Sequence, residues 1–324
     1  MRRALVTGGA GFIGSNLVDR LLANGVEVVV YDNLLTGHLT FLEEAMTHRN
    51  FSLVTADVLD PESLGQAMHD ADWVFHLQAN ADVRHGLEHP RRDLEQNTIA
   101  TSNVLEAMRV AGVRNILFSS TGSVYGEHQT VPTPEDAGFP IQTSLYGASK
   151  LAGEGLIQAY AVGFGFTGVI CRFVSILGER YTHGHVIDFY RSLKRDPNSI
   201  RVLGNGRQEK SYLYVQDCVD AMLTAAAHHE GQPGAAVYNL GTDETTIVDD
   251  SLAVITAQLG LAPAVHHTGG VRGWTGDSPL IRLDTSRIRS LGWSPTLSIK
   301  EAVMRTVEWL EANEVVWRDE GASR

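Results

Sequence analysis

Apolar and polar positions follow two alternating patterns through the first half of the chain. Short unbroken apolar runs such as Ala4-Leu5-Val6 suit strands covered on both faces. Between them, apolar residues recur at helical spacing, as in Phe12, Ile13, Leu17, Val18, Leu21 and Leu22, where Gly25 suits the stop. This reading predicts strands near 3–7, 26–31, 51–55, 72–77, 113–119 and 167–173, and helices near 12–24, 61–69, 91–111 and 146–162. Asp60-Pro61 has the N-cap and first-turn chemistry that opens the second helix. Strands alternating with helices predict an α/β fold built on a doubly wound parallel sheet.

Beyond Gly178 the pattern is less regular. Helices are expected at 185–195, 216–229, 248–259 and 298–313, with a strand at 236–240. The expected organisation is a nucleotide-binding domain over 1–175 that regains chain near 216–245. Residues 176–324 would form most of a smaller α/β substrate domain. The segment 126–145, with Pro132, Pro134 and Pro140, is expected to be ordered over the active site.

Composition narrows the function without choosing it. Across 324 residues, charged types make up 20% and apolar types 43%, ordinary for a soluble globular chain. The net charge of -12 argues against nonspecific binding to nucleic acid or an anionic membrane. The two cysteines, Cys171 and Cys218, lie in apolar context and need no disulfide, so a cytoplasmic setting is expected. Arg2-Arg3 precedes an apolar run that breaks at Gly8, too short for a signal peptide. No stretch approaches the ~20 apolar residues of a membrane span.

The first strand leads into Thr7-Gly8-Gly9-Ala10-Gly11-Phe12-Ile13-Gly14. Glycines at 8, 11 and 14 allow a tight turn, close approach to a pyrophosphate, and its seating on a helix N-terminus. The second strand ends in Asp32, where an acid receives the adenosine ribose hydroxyls of a dinucleotide. No arginine lies between 33 and 48 to greet a 2′-phosphate, so the cofactor is expected to be NAD rather than NADP.

The GxxGxxG spacing, Ser119-Ser120-Thr121 after the fifth strand, and Tyr146-Gly147-Ala148-Ser149-Lys150 occur in one order. Together they resemble the extended short-chain dehydrogenases/reductases, in particular the NAD-dependent epimerase/dehydratase family. The resemblance covers nearly the whole chain and implies a Rossmann-type fold. It implies a catalytic set of Thr121, Tyr146 and Lys150. Tyr146 and Lys150 share a helix face, so the ammonium should lower the phenol's pKa, as should a nearby positive nicotinamide. The phenolate would take a proton from a sugar hydroxyl as hydride leaves the same carbon. Thr121 would bond the reacting oxygen. Further cofactor contacts are expected from Gly8, Gly11, Phe12, Ile13, Gly14, Asp32 and Asn33. Asp57 and Val58 would hold the adenine edge. Leu77, Gln78, Ala79, Asn97, Ser119 and Ser120 would lie toward the nicotinamide.

The family's dehydratases carry an Asp-Glu pair after the threonine, and its decarboxylases keep the glutamate. Here Gly122 and Ser123 stand there, and neither works as a general acid or base near neutral pH. That leaves epimerisation: a nucleotide-sugar 4-epimerase acting through a transient 4-keto sugar, with a UDP-hexose-like substrate. Alternatives are a C2 epimerase, a 4-dehydrogenase that releases the keto sugar, and a non-catalytic NAD-binding regulatory protein. Substrate contacts are expected from Arg84, Thr121, Ser175, Lys210 and Arg272. Ser175 replaces the family's usual Asn, Lys210 stands in for an Arg, and Arg272 lies slightly upstream of the usual one. His183 and His185 lack companion ligands, and no metal is expected. The family pairs its subunits through the helices after strands four and five. A homodimer is therefore expected, with Leu94, Ile99, Val104, Leu105, Met108, Leu151, Leu156 and Ile157 as candidate contacts.

Overall fold

The structure, a computed structural model, describes residues 1–80, 86, 88–138, 141–273 and 280–314. Its centre is a seven-stranded parallel sheet. The strands are β1 (Arg3–Thr7), β2 (Glu27–Asp32), β3 (Phe51–Thr55), β4 (Trp73–His76), β5 (Asn115–Thr121), β6 (Thr167–Phe173) and a late edge strand, Gly234–Leu240. Across the sheet the order is the late strand, β6, β5, β4, β1, β2, β3. The order reverses between β1 and β4, and that switch point opens a crevice at the strands' carboxyl ends.

Side-chain alternation divides the core. Ala4, Val6, Val28 and Val30 point to one face, where they join Leu17, Leu21 and the Val219 side of the fold. Leu5, Val29 and Tyr31 point to the other, with Leu64, Val104, Leu105, Met108 and Ile157. A parallel sheet needs both faces covered, and the unbroken apolar runs supply both at once.

The helices begin and end where local chemistry directs. Helix α1 is Phe12–Ala23. Helix α2 (Pro61–Ala67) is capped by Asp60, which accepts from the N–H groups of Glu62 and Ser63. The expected helix over 91–111 is broken into three parts. A short α3 (Pro90–Asp93) leads into a wide π turn, Leu94–Ile99, and then α4 (Ala100–Ala111). Thr101 donates to the Asn97 carbonyl (2.6 Å), and Asn97 turns inward to partners off the helix. Such bulges gather at functional sites. Helix α5 (Leu145–Phe164) is capped by Ser144 and stopped by Gly165 in the left-handed region.

The second half adds elements too short to read from periodicity. Strand β7 (Ser175–Leu177) pairs with Tyr212–Tyr214, and Glu209–Lys210 pairs with Thr246–Ile247 and Leu280–Ile281. Helices lie at His185–Arg195, Val215–His229, Val248–Leu259 and Ile299–Ala312. The last carries a full capping box between Ser298 and Glu301. No helix among the described residues is long and apolar enough to cross a membrane.

Candidate active site

Four strand ends converge at the crevice. The first carries the glycine turn. Gly8 sits at φ 71, and a Cβ there would lie 2.7 Å from the Gln78 backbone nitrogen. Only glycine fits that pose against the β4 loop. No side chain caps α1, which leaves its first-turn N–H groups open to an anion. Asp32 ends β2 and is 7% exposed. Its Oδ2 accepts from the Ala10 N–H (2.9 Å) and its Oδ1 from the Leu34 N–H (2.8 Å). Burial pushes this carboxyl up, while the two N–H donors pull it down. The cradle, the open helix end and the seated carboxylate fit a dinucleotide whose diphosphate lies on α1.

Asn33 donates to Asp57 (2.8 Å), and Asp57 also accepts from the Leu59 N–H (2.9 Å). Val58 is buried, and its carbonyl accepts from Asn103 (3.1 Å). After β4, Leu77 donates its N–H to the Thr7 carbonyl (3.1 Å), and Gln78 Nε2 donates to Gln96 Oε1 (2.7 Å). Gln78 Oε1 is enclosed and finds no hydrogen-bond partner among the described residues, which leaves an acceptor open beside the glycine turn. Ala79 follows, half-buried. Asn97, buried at the π turn, accepts from the Asn80 N–H (2.8 Å) and donates to Ser149 Oγ (2.9 Å) on α5.

The end of β5 and the first turns of α5 carry the reactive groups. Thr121 ends β5, and its hydroxyl both accepts from the Ser123 N–H (3.1 Å) and bonds the Tyr146 side chain. Tyr146 is half-buried as a residue, but its hydroxyl end is enclosed by protein. Burial pushes this phenol up to about 12; the Thr121 bond offsets part of that, and the Asp93 charge adds to it. Lys150 follows one turn later, 1% exposed, its Nζ 4.2 Å from the centroid of the Phe118 ring. Burial draws its ammonium down to about 7, against the pull of Glu154. Burial is the largest influence on both groups: it pushes the phenol up and draws the ammonium down.

Ser119 donates to the His76 carbonyl (3.2 Å), and Ser120 donates to Glu154 Oε1. Both hydroxyls are bonded to neighbouring protein groups. Three site residues escaped the sequence reading. His76 bridges Thr7 Oγ1 (2.7 Å) and Thr101 Oγ1 (3.0 Å), with its pKa drawn down to about 3 by burial and by Lys150. Because Thr101 gives its proton to Asn97, the neutral ring carries its own on Nε2. Asp93 is buried, and its Oδ1 accepts from Asn80 Nδ2 (2.8 Å). Glu154 is the third. Its position four residues after Lys150 was the available signal.

The expected substrate contacts are dispersed. Ser175 is exposed on β7, in register with Tyr212, and Lys210 lies two residues before that partner. Arg272 is exposed and pairs with Glu127, so it is bound to the 126–145 segment. Arg84 lies outside the described residues. The 126–145 segment is tied down at Glu135, whose carbonyl accepts from Arg172 (3.1 Å) and whose carboxylate accepts from the Asn239 N–H (3.0 Å).

The NAD dependent epimerase/dehydratase family matches residues 4–241. The chain belongs to this family. A UDP-glucose 4-epimerase of Mycolicibacterium smegmatis is 34% identical over 316 residues, 95% of this chain and 98% of that one. Among solved structures, a UDP-galactose 4-epimerase superposes with a TM-score of 0.86 at 38% identity, over 96% of this chain and 99% of that one. The Thermus thermophilus UDP-glucose 4-epimerase in complex with NAD superposes with a TM-score of 0.84 at 32% identity, over 95% and 99%. The α/β Rossmann-type sheet expected from the sequence is the fold these relatives share with it.

Proposed function

We propose that the protein is an NAD-dependent nucleotide-sugar 4-epimerase that acts on a UDP-hexose. One observation carries the reading. The Thr121–Tyr146 pair at the end of β5 is followed by a turn, Gly122–Tyr125, that holds no carboxylate. Such a site can move one proton on and off a hydroxyl but has no group in that turn to work on C5 or C6.

The roles assigned are those the family resemblance implies. Gly8, Gly11, Phe12, Ile13 and Gly14 hold the diphosphate of NAD, and Asp32 takes the adenosine ribose. Asn33, Asp57 and Val58 frame the adenine. Leu77, Gln78, Ala79, Asn97, Ser119 and Ser120 line the approach to the nicotinamide, with Lys150 at its ribose. When bound, NAD supplies the hydride acceptor and a positive charge that favours the Tyr146 phenolate. Tyr146 takes the proton of the C4 hydroxyl and gives it back to the same oxygen once the keto sugar has turned its other face to the returning hydride, and Thr121 holds that oxygen. Arg84, Ser175, Lys210 and Arg272 contact the nucleotide-sugar portion. Residues 1–175, with the return near 216–245, carry the cofactor, and 176–324 carry most of the sugar nucleotide site.

We further propose a cytoplasmic homodimer built on α4 and α5. Of the eight expected contacts, Val104, Leu105, Met108 and Ile157 are buried against the sheet. Leu94 and Ile99, in the π turn before α4, remain 49% and 41% exposed, and Val110 of α4 and Val162 of α5 are 74% and 90% exposed. The test of activity is incubation with UDP-glucose and UDP-galactose, followed by proton NMR at C4. Inversion in both directions without NADH accumulation is expected. Stoichiometric NADH, or no inversion of any UDP-hexose, would overturn it.

A further inference from the structure

A buried hydroxyl outside the reacting pair closes the turn that follows Thr121. Tyr125 ends that turn, Gly122–Tyr125, and is buried. Its hydroxyl accepts from Arg172 Nη1 of β6 (2.6 Å) and donates to Asn239 Oδ1 of the late edge strand (2.8 Å). The partners fix both directions. A guanidinium can only donate, so the hydroxyl gives its own proton to Asn239. Asn239 is fully buried, and its Nδ2 donates to the carbonyls of Thr133 (2.9 Å) and Asp284 (3.0 Å), which can only accept. Its Oδ1 is therefore the atom left for Tyr125. The Arg172 guanidinium also lies 4.7 Å from the centroid of the Tyr125 ring.

The same guanidinium grips α5. Its Nε and Nη2 fork onto the Glu154 carboxylate at 2.9 and 2.6 Å. Arg172 thus holds at once the helix that carries Tyr146 and the turn that follows Thr121. The two also meet directly. A Cβ on Gly147 would lie 2.8 Å from the Ser123 carbonyl oxygen, so glycine lets the turn close on α5 beside Tyr146. Gln142 donates to the Val124 carbonyl (2.7 Å) from the other side. Thr121 depends on this turn, because its hydroxyl accepts from the Ser123 N–H while it bonds Tyr146.

We propose that Tyr125 is a positioning residue for the reaction: its hydroxyl, held between Arg172 and Asn239, pins the turn that aims Thr121 at Tyr146. The effect on rate rests on the epimerase reading, whereas the placement of Thr121 does not. Without the hydroxyl, Arg172 Nη1 keeps only the Glu135 carbonyl (3.1 Å), and Asn239 Oδ1 loses its donor. Leaving such enclosed groups unpaired is costly, so the turn shifts to pair them again. A displacement of about 1 Å at the reacting oxygen is enough to cost roughly 100-fold in rate. The binding of NAD and of the sugar nucleotide does not pass through this hydroxyl.

Tyr125→Phe keeps the ring and removes only the hydroxyl. With UDP-galactose as substrate, kcat should fall roughly 10- to 100-fold while KM and NAD affinity stay within about twofold of native. Threonine methyl groups labelled with 13C report the placement without turnover. The Thr121 signal, assigned with Thr121→Val, should move in Tyr125→Phe, and that of Thr306, buried on the last helix, should not. Should Tyr125→Phe fail to fold, Asn239→Ala leaves the hydroxyl to Arg172 alone, and the same split between kcat and KM is expected with the same methyl shift. A folded variant with native kcat, with a raised KM at unchanged kcat, or with an unmoved Thr121 signal overturns the proposal. A moved Thr121 signal in a protein that inverts no sugar supports the placement and sinks the epimerase reading instead.

Discussion

Replacing Asp32 by Asn isolates the contact on which cofactor choice turns. The side chain keeps its size, but one of its two acceptor oxygens becomes an NH2 group. In the native protein the oxygens serve the N–H groups of Ala10 and Leu34 at 2.9 and 2.8 Å. After substitution one of those N–H groups faces a donor, and the adenosine ribose loses a charged acceptor. A hydrogen bond to a charged group contributes about 1.5–3 kcal/mol. Loss of the ribose bond alone thus predicts NAD binding weaker by roughly 10- to 150-fold. NADP should weaken less, because the charge that repels its 2′-phosphate is gone, so the ratio of the two affinities should narrow. Calorimetric titration of the cofactor-free protein with both dinucleotides measures this. The melting temperature of the cofactor-free variant, recorded separately, accounts for any loosening of the Ala10–Leu34 turn. If the folded variant binds NAD within about threefold of the native protein, Asp32 does not hold the ribose and the argument fails.

Other outcomes follow from the same geometry. Tyr146→Phe should bind NAD with native affinity yet lose about 10²- to 10⁴-fold in kcat, since only the proton-transfer group is removed; a loss below tenfold would contradict the role given to the phenol. The native protein should scatter light as a dimer at micromolar concentration. Val162→Glu and Leu94→Glu, which place charge on exposed apolar positions of α5 and of the turn before α4, should yield folded monomers; an unchanged dimer would move the interface elsewhere.

The parts of this protein visible in its sequence are those where one local rule acts alone. The strand–glycine–helix turn and the acid at the end of β2 need particular residues at fixed spacing, and the structure places Gly8 against the Gln78 backbone and Asp32 on the Ala10 N–H accordingly. The break in the 91–111 helix was hidden because Leu94–Ile99 carries no proline or glycine. The turn widens through bonds that Asn97 and Thr101 make with distant elements. The strands at 175–177, 209–210 and 212–214 are too short to show a period of two. The charge states of Tyr146 and Lys150 depend on burial, which spacing cannot report. Asp93 and Glu154 reach the site through folding, one from the turn before α4 and one from behind Lys150.

The central claim is that hydride leaves C4 and returns to it without any exchange of carbon-bound hydrogen. The enzyme is incubated with UDP-glucose in deuterated water until C4 is equilibrated, and the sugars are examined by mass spectrometry and NMR. Gly122 and Ser123 place no carboxylate beside Tyr146, so the product should be the C4 epimer with no carbon-bound deuterium and with its C6 oxygen retained. Deuterium at C5 or loss of the C6 oxygen would contradict the account.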